Sequence, residues 1–259
     1  MTAPLVFITG ASSGIGQALA ARYLRAGWRL ALVARRTHEI KSWAEANGIS
    51  AGSYEIYSAD VAQPDSIAAA GQDCLQRQGV PDVVIANAGI SVGVDTALRE
   101  DIATMAQVLA TNTVGTAATF QPFITPMVQR GSGRLVGIAS VAGIRGLPGH
   151  GAYCASKAAV ISYCESLRGE LRGTGVGVST ISPGYIDTPL TRQNRYAMPF
   201  LMQPEDFADR AFAAERAGVS YCVIPWQMGV VAKLLRLLPN AVFDRLLAGR
   251  PRKARQAQP

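Results

Sequence analysis

The 259-residue chain is 49% hydrophobic and 17% charged, with 25 Lys+Arg against 18 Asp+Glu and a formal charge of +7. That length suits one large α/β or β domain or two small ones, and the apolar content excludes a globally disordered chain. The excess charge is local: residues 229–259 carry seven basic groups and one acid, so the remainder is nearly neutral.

From the N-terminus, Met1-Thr-Ala-Pro leads directly into Leu5-Val-Phe-Ile-Thr9, which reads as a buried strand and not a signal peptide. Further apolar runs at 29–34, 54–59, 82–86, 133–139, 176–182 and 219–224 alternate with helix candidates at 14–26, 37–47, 64–78, 101–129, 152–172 and 204–217. Pro64 and Pro204 open two of these helices, where a first-turn proline is tolerated. The alternation predicts an α/β fold: a doubly wound, Rossmann-type parallel sheet of about seven strands with helices on both faces. The expected organisation is one dinucleotide-binding unit over 1–225 and a C-terminal helical extension over 226–259. No apolar run reaches the roughly 18 residues of a spanning helix. Cys74, Cys154, Cys164 and Cys222 lack paired spacing and read as reduced thiols of a cytoplasmic protein. His38 and His150 stand apart, so no metal site is expected.

The first strand runs into Thr9-Gly10-Ala11-Ser12-Ser13-Gly14-Ile15-Gly16 and then a helix. Glycines at 10, 14 and 16 allow a tight turn and a close backbone approach by a pyrophosphate at the helix N-terminus, where free N–H groups favour an anion. The second strand ends in Ala34-Arg35-Arg36. An acid at that tip would hold the ribose hydroxyls of NAD; two guanidiniums instead suit a 2′-phosphate. The pair also reads as a solvated basic cap on a loop, but NADPH is the favoured cofactor and NAD the alternative. Asp60, with Val61, is placed to accept from the adenine amino group, and Asn87-Ala88-Gly89 to pass beneath the adenosine; each alone is also ordinary turn chemistry.

Ser140 closes the fifth strand, and Tyr153 and Lys157 follow at i, i+4 on one face of the next helix. A phenol, with an ordinary pKa of about 10, is a poor acid–base group at neutral pH unless a neighbouring ammonium lowers it. Lysine is rare here, four against 21 arginines, so Lys157 is not an ordinary surface charge. Its compact ammonium can also donate to a ribose.

Together these residues resemble the classical short-chain dehydrogenase/reductases over Leu5 to about Ile224. The resemblance rests on Thr9–Gly16, Asp60, Asn87-Ala88-Gly89, Asn112, Ser140, Tyr153 with Lys157, and Pro183-Gly184-Tyr-Ile-Asp-Thr188. It implies nicotinamide-dependent carbonyl/alcohol chemistry, with Tyr153 exchanging the proton at the substrate oxygen and Ser140 polarising that oxygen. It further implies that Lys157 lowers the tyrosine and anchors the ribose, while Asn112 holds a water of the proton relay. Pro183, Gly184, Ile186 and Thr188 would flank the nicotinamide. Without the resemblance, Asn112 reads only as a polar residue on a helix. One departure follows the last strand: Val223-Ile224-Pro225-Trp226-Gln227-Met228 replaces the Asp-Gly-Gly of many members, so their tetramer cannot be assumed and a homodimer is the alternative.

Residues 185–203 fall where that family places its substrate lid. Leu190, Tyr196, Met198, Phe200, Leu201 and Met202 mix with Arg192 and Arg195, which suits a large apolar ketone with an anionic head, or else simply packs the loop onto the body. Beyond Trp226, the residues Met228, Val230, Val231, Leu234, Leu235, Leu237 and Leu238 form an apolar face opposite Lys233 and Arg236. Pro239 breaks that helix, and Val242, Phe243, Leu246 and Leu247 precede the basic run Arg250–Arg255. The pattern fits peripheral contact with an anionic membrane, or docking on the body or a partner subunit. The tail lacks the interleaved aromatics of a nucleic-acid binder, so no nucleic-acid partner is expected and the partner is a small-molecule carbonyl or alcohol.

Overall fold

In the computed structural model, which describes residues 3–194, 196–249 and 253–255, seven strands form one sheet. They are β1 (Leu5–Thr9), β2 (Arg29–Ala34), β3 (Tyr54–Ser58), β4 (Val83–Ala86), β5 (Gly133–Ile138), β6 (Val176–Pro183) and β7 (Tyr221–Ile224). Their order is β3-β2-β1-β4-β5-β6-β7, and every neighbouring pair is parallel. The order turns back between β1 and β4, so the loops leaving these two strands diverge and open a crevice at the carboxyl edge.

Two-residue periodicity sends alternate side chains to opposite faces. Leu5 and Phe7 of β1 join Val33, Tyr57, Phe120, Phe123 and Val160 in one apolar layer. Val6 and Ile8 join Leu19, Tyr23, Leu30, Leu32 and Phe207 in the other. Helices α1 (Gly14–Arg25), α2 (Thr37–Ala46) and α7 (Pro204–Arg216) supply the second layer. The first is supplied by α3 (Pro64–Arg77), α5 (Gly115–Arg130) and α6 (Gly151–Glu170). Both faces are covered, which is why the strands read as continuous apolar runs.

The single helix expected over 101–129 is interrupted. It consists of α4 (Glu100–Leu109), a π turn over Ala110–Val114, and α5. Side chains compete with the helix for its backbone here: the Thr116 hydroxyl donates to Asn112 O at 2.8 Å and the Thr119 hydroxyl to Gly115 O at 2.6 Å. The Asn112 side chain is drawn sideways onto the loop after β4. Such π insertions accommodate one extra residue and recur at functional sites.

After β7 the chain turns directly into α8 (Trp226–Leu237) and then α9 (Asn240–Leu247). These helices are docked. Arg145 donates to the carbonyls of Leu235 and Leu238 and to Asn240 Oδ1, and its guanidinium lies 3.7 Å above the Phe243 ring. The apolar residues of α8 do not all serve one face, however. Met228 and Ala232 are buried, whereas Trp226, Val230, Leu234 and Leu237 are exposed. Among the described residues no helix is long and apolar enough to cross a membrane. Of the basic run, Arg250 and Arg252 lie outside the described residues, as does Arg195 of the lid.

Candidate active site

At the carboxyl edge of the sheet lies a cleft of about 410 Å³ whose lining gathers residues from the loops after β1, β2, β3, β4, β5 and β6. On one side Gly10, Ser12, Ser13, Gly14 and Ile15 form the turn into α1. Gly10 sits at φ +70, and a Cβ there would come 2.8 Å from Ala88 Cα; a Cβ on Gly16 would come 2.2 Å from Gly10 O. Gly16 itself lies behind the wall, as the packing residue that lets α1 start so close to the turn. Asn87 Nδ2 donates to Thr9 O (3.0 Å), and the amides of Asn87 and Ala88 donate to Thr9 Oγ1 (3.1 and 3.2 Å). These bonds tie the β1 and β4 loops together around the crevice. Ser13 occupies the N-cap of α1 without a side-chain cap bond, leaving the helix N-terminus open to an anion.

Ala34, Arg35, Arg36, Asp60 and Val61 line the adjoining stretch. Both arginines are exposed. Arg35 Nη1 lies 3.5 Å from Asp60 Oδ2, while Asp60 Oδ1 accepts from Ala62 N at 3.0 Å. An exposed pair at that distance is weak and readily exchanged for a better anion. A glycine cradle with an open helix N-terminus fits the pyrophosphate of a nicotinamide dinucleotide, and the two arginines border it.

The other end holds Ser140, Tyr153 and Lys157, with Pro183, Gly184, Ile186 and Thr188 opposite. Ser140 Oγ accepts from Ala142 N at 3.2 Å, capping a short 3₁₀ turn (Val141–Gly143) that holds its rotamer. Burial pushes the Tyr153 phenol up, and the neighbouring Ser140 hydroxyl opposes that rise. Lys157 is buried, with Nζ donating to Ile138 O at 2.8 Å and lying 6.0 Å from the Tyr153 ring centroid. Its ammonium is pushed down to about 8 by burial. Burial is the leading influence on both groups, and the neighbouring Ser140 hydroxyl favours the phenolate.

Asn112 is fully buried, just behind the cleft lining. Its Oδ1 accepts from Ile90 N (2.8 Å), and its Nδ2 donates to Ile90 O and Ser156 Oγ (both 2.9 Å). The amide thus clamps the β4 loop against α6, with one acceptor site of Oδ1 still open. Its neighbour Thr111 faces the cleft instead. Thr191 and Gln193 of the lid line it too, and sequence reasoning missed both; their only signal was position within the lid segment.

The lid is pinned at its base, where Ile186 bridges Met202, Met202 N donates to Tyr185 O (3.0 Å) and Asp187 N to Met202 O (2.9 Å). Leu190, Phe200 and Leu201 are exposed, and Phe200 adopts φ 56, a strained position for an aromatic residue. Arg192 is bound to Asp187 through two contacts (2.8 and 3.3 Å).

The sequence profile described as short chain dehydrogenase matches residues 4–198. An uncharacterized oxidoreductase of Myxococcus xanthus is 38% identical over 92% of this chain and 93% of its own length. Human 17-beta-hydroxysteroid dehydrogenase type 1 is 37% identical over 81% of this chain, which spans 63% of that longer protein. A short-chain dehydrogenase from Sphingobium yanoikuyae in complex with NADPH superposes with a TM-score of 0.78 at 26% identity, over 99% of this chain and 98% of that one. A family member from Burkholderia phymatum in complex with NAD gives 0.81 at 22% identity, over 98% of each chain, a likeness of fold. The chain belongs to the short-chain dehydrogenase/reductase family, NAD(P)-dependent oxidoreductases acting on CH–OH groups.

Proposed function

We propose that this chain is an NADPH-dependent reductase of a ketone or aldehyde, with 1–225 as the catalytic unit and 226–259 as an appended docking element. The observation that carries the reading is the convergence of Ser140, Tyr153 and Lys157 on the cleft wall. Gly10, Ser12, Ser13, Gly14 and Ile15 cradle the pyrophosphate, and Arg35 and Arg36 hold the 2′-phosphate, Arg35 releasing Asp60 to do so. Asp60, Val61 and Asn87-Ala88-Gly89 border the adenosine. Pro183, Gly184, Ile186 and Thr188, which line the cleft opposite Tyr153, would hold the nicotinamide. When bound, NADPH supplies the hydride.

Ser140 and Tyr153 grip the carbonyl oxygen. Tyr153 releases its proton to that oxygen as negative charge develops; a phenol pushed up by burial stays protonated at neutral pH and is ready to donate. Lys157 anchors the ribose and places an ammonium near the ring. Asn112 acts by positioning, fixing the Ile90 loop and α6 relative to each other. The alternative, an NAD-linked alcohol dehydrogenase, differs at the tip of β2, and a non-catalytic nucleotide-binding scaffold has no use for the Ser140–Tyr153 pair. The lid's apolar residues and the relative named as a hydroxysteroid dehydrogenase support a large apolar substrate.

An NADPH-oxidation screen across aliphatic, steroid-like, acyl-thioester and sugar carbonyls tests the reading, together with Arg35→Asp. The substitution is expected to raise KM for NADPH by about tenfold or more and to improve NADH use, since a charge-assisted phosphate contact is lost. Unchanged KM for both cofactors would remove Arg35 from phosphate recognition.

For the C-terminal helices we propose contact with an anionic membrane. Trp226, Val230, Leu234 and Leu237 form an exposed apolar stripe, and the exposed Lys233, Arg236 and Arg245 flank it.

A further inference from the structure

The C-terminal residues Lys253, Ala254 and Arg255 return to the catalytic body as a strap. Gly93 N donates to Ala254 O at 2.9 Å, and Gly93 bridges Arg255 in parallel register. Gly93 permits this approach: a Cβ there would come 2.2 Å from Lys253 O. Arg255 locks the end of the strap. Its Nε and Nη2 meet the two carboxylate oxygens of Asp101 at 2.7 and 2.9 Å, and Nη2 also reaches Glu100 Oε1 at 3.4 Å. Asp101 is buried and held well below the usual carboxylate range, first by this hydrogen bond and then by the one from Asp95 N. A bidentate, partly buried arginine–carboxylate pair fixes geometry as well as position.

What the strap delivers is Lys253. Its Nζ donates to Asn194 Oδ1 of the lid at 2.7 Å. It also lies close enough to His150 to contribute, after burial, to holding that imidazole down. His150 is three residues before Tyr153, and its Nε2 lies 3.2 Å from Tyr196 Oη of the lid. The Tyr196 phenol in turn feels Tyr185 and Tyr153. Tyr196 and His150, in contact with each other, thus lie within electrostatic reach of Tyr153 on one side and Lys253 on the other, beside the cleft lining that includes Tyr153 and Gln193.

Along that side of the cleft the charges do not balance. Lys253 is half-buried and meets only a neutral amide, and it forms no ion pair among the described residues. Of the acids near the strap, Asp187 is paired with Arg192, Asp101 and Glu100 with Arg255, and Asp95 accepts from Ala97 N at 3.1 Å. An ammonium partly removed from water without a carboxylate partner favours an incoming anion. Arg192, the cation expected from the sequence to meet an anionic head, is instead spent on Asp187.

We propose that the strap completes the substrate site and that Lys253 recognises a carboxylate on an otherwise apolar carbonyl substrate. This deepens the reductase reading and rests on it: the substrate class becomes the oxo acid, its carboxylate held at Lys253 and its apolar body beneath the lid. Arg255, through Asp101, is a positioning residue for Lys253.

The test is calorimetric titration of the full-length protein saturated with NADPH, with octanoate and octan-1-ol as probes. Octanoate is expected to bind at least about tenfold more tightly than octanol. Lys253→Met should abolish that preference and leave octanol binding as it was, Lys253→Arg should retain it, and Arg255→Ala should reduce it by detaching the strap. Equal binding of the two probes, or a preference that survives Lys253→Met, overturns the proposal. The two readings fail separately. A Lys253-dependent octanoate preference without NADPH oxidation on any carbonyl leaves the strap and removes the reductase. Turnover of neutral ketones with no octanoate preference does the reverse.

Discussion

Lys157 and Tyr153 show how far residue identity alone goes. An i, i+4 pair of phenol and ammonium after the fifth strand was legible from spacing, and both groups do reach the cleft. The direction in which each is perturbed was not legible, because it depends on burial: desolvation penalises the charged form of either group, so the phenol rises while the ammonium falls. This has a consequence for pH. Lys157 is charged below about 8 and neutral above it. Cys164, which pulls the lysine the other way, is itself pushed up to about 11 and stays a thiol over this range. NADPH affinity, followed by its fluorescence, should be flat from pH 6.5 to about 8 and then fall by up to about tenfold per unit. Lys157→Met should remove the inflection, and a wild-type affinity that is flat to pH 9.5 would contradict the assignment.

At the scale of elements, the sequence located every strand to within two residues and most helices equally well, because strands buried on both faces and helices opened by Pro64 and Pro204 leave strong local signals. The π turn at Ala110–Val114 left none. It coincides with local hydroxyl-to-carbonyl bonds and with the pull of Asn112 towards Ile90, a contact made only once the β4 loop is folded against it. The C-terminal helices were read as amphipathic, yet their apolar residues divide between docked and exposed sides, a division fixed by Arg145 from the loop after β5. With Trp226, Val230, Leu234 and Leu237 left outward beside basic residues, vesicles containing phosphatidylserine should carry the protein upward in a flotation gradient. Exchange of Leu234 and Leu237 for Gln should abolish the shift. Absence of any lipid-dependent shift in the unaltered protein rules the membrane reading out.

Over the whole molecule, the strand reversal between β1 and β4 places the crevice, and the loops leaving six strands bring residues as distant in sequence as Gly10 and Thr188 onto its walls. That much follows from the alternation of strands and helices. What no local pattern revealed is the return of Lys253–Arg255 across Gly93 to the lid and α4, since a basic tail gives no indication of which acid it will meet. Among the described residues, Lys233, Arg236 and Arg245 face outward on α8 and α9, while Lys253 and Arg255 fold back onto the lid and α4. All of this depends on the cleft being a reaction centre in which Tyr153 delivers the proton. Tyr153→Phe keeps the ring and removes only the hydroxyl, so the decisive measurement is single-turnover NADPH oxidation by this variant beside its NADPH dissociation constant. The rate should fall by about three orders of magnitude or more at unchanged NADPH affinity. A Phe variant that turns over at near the unaltered rate would contradict it.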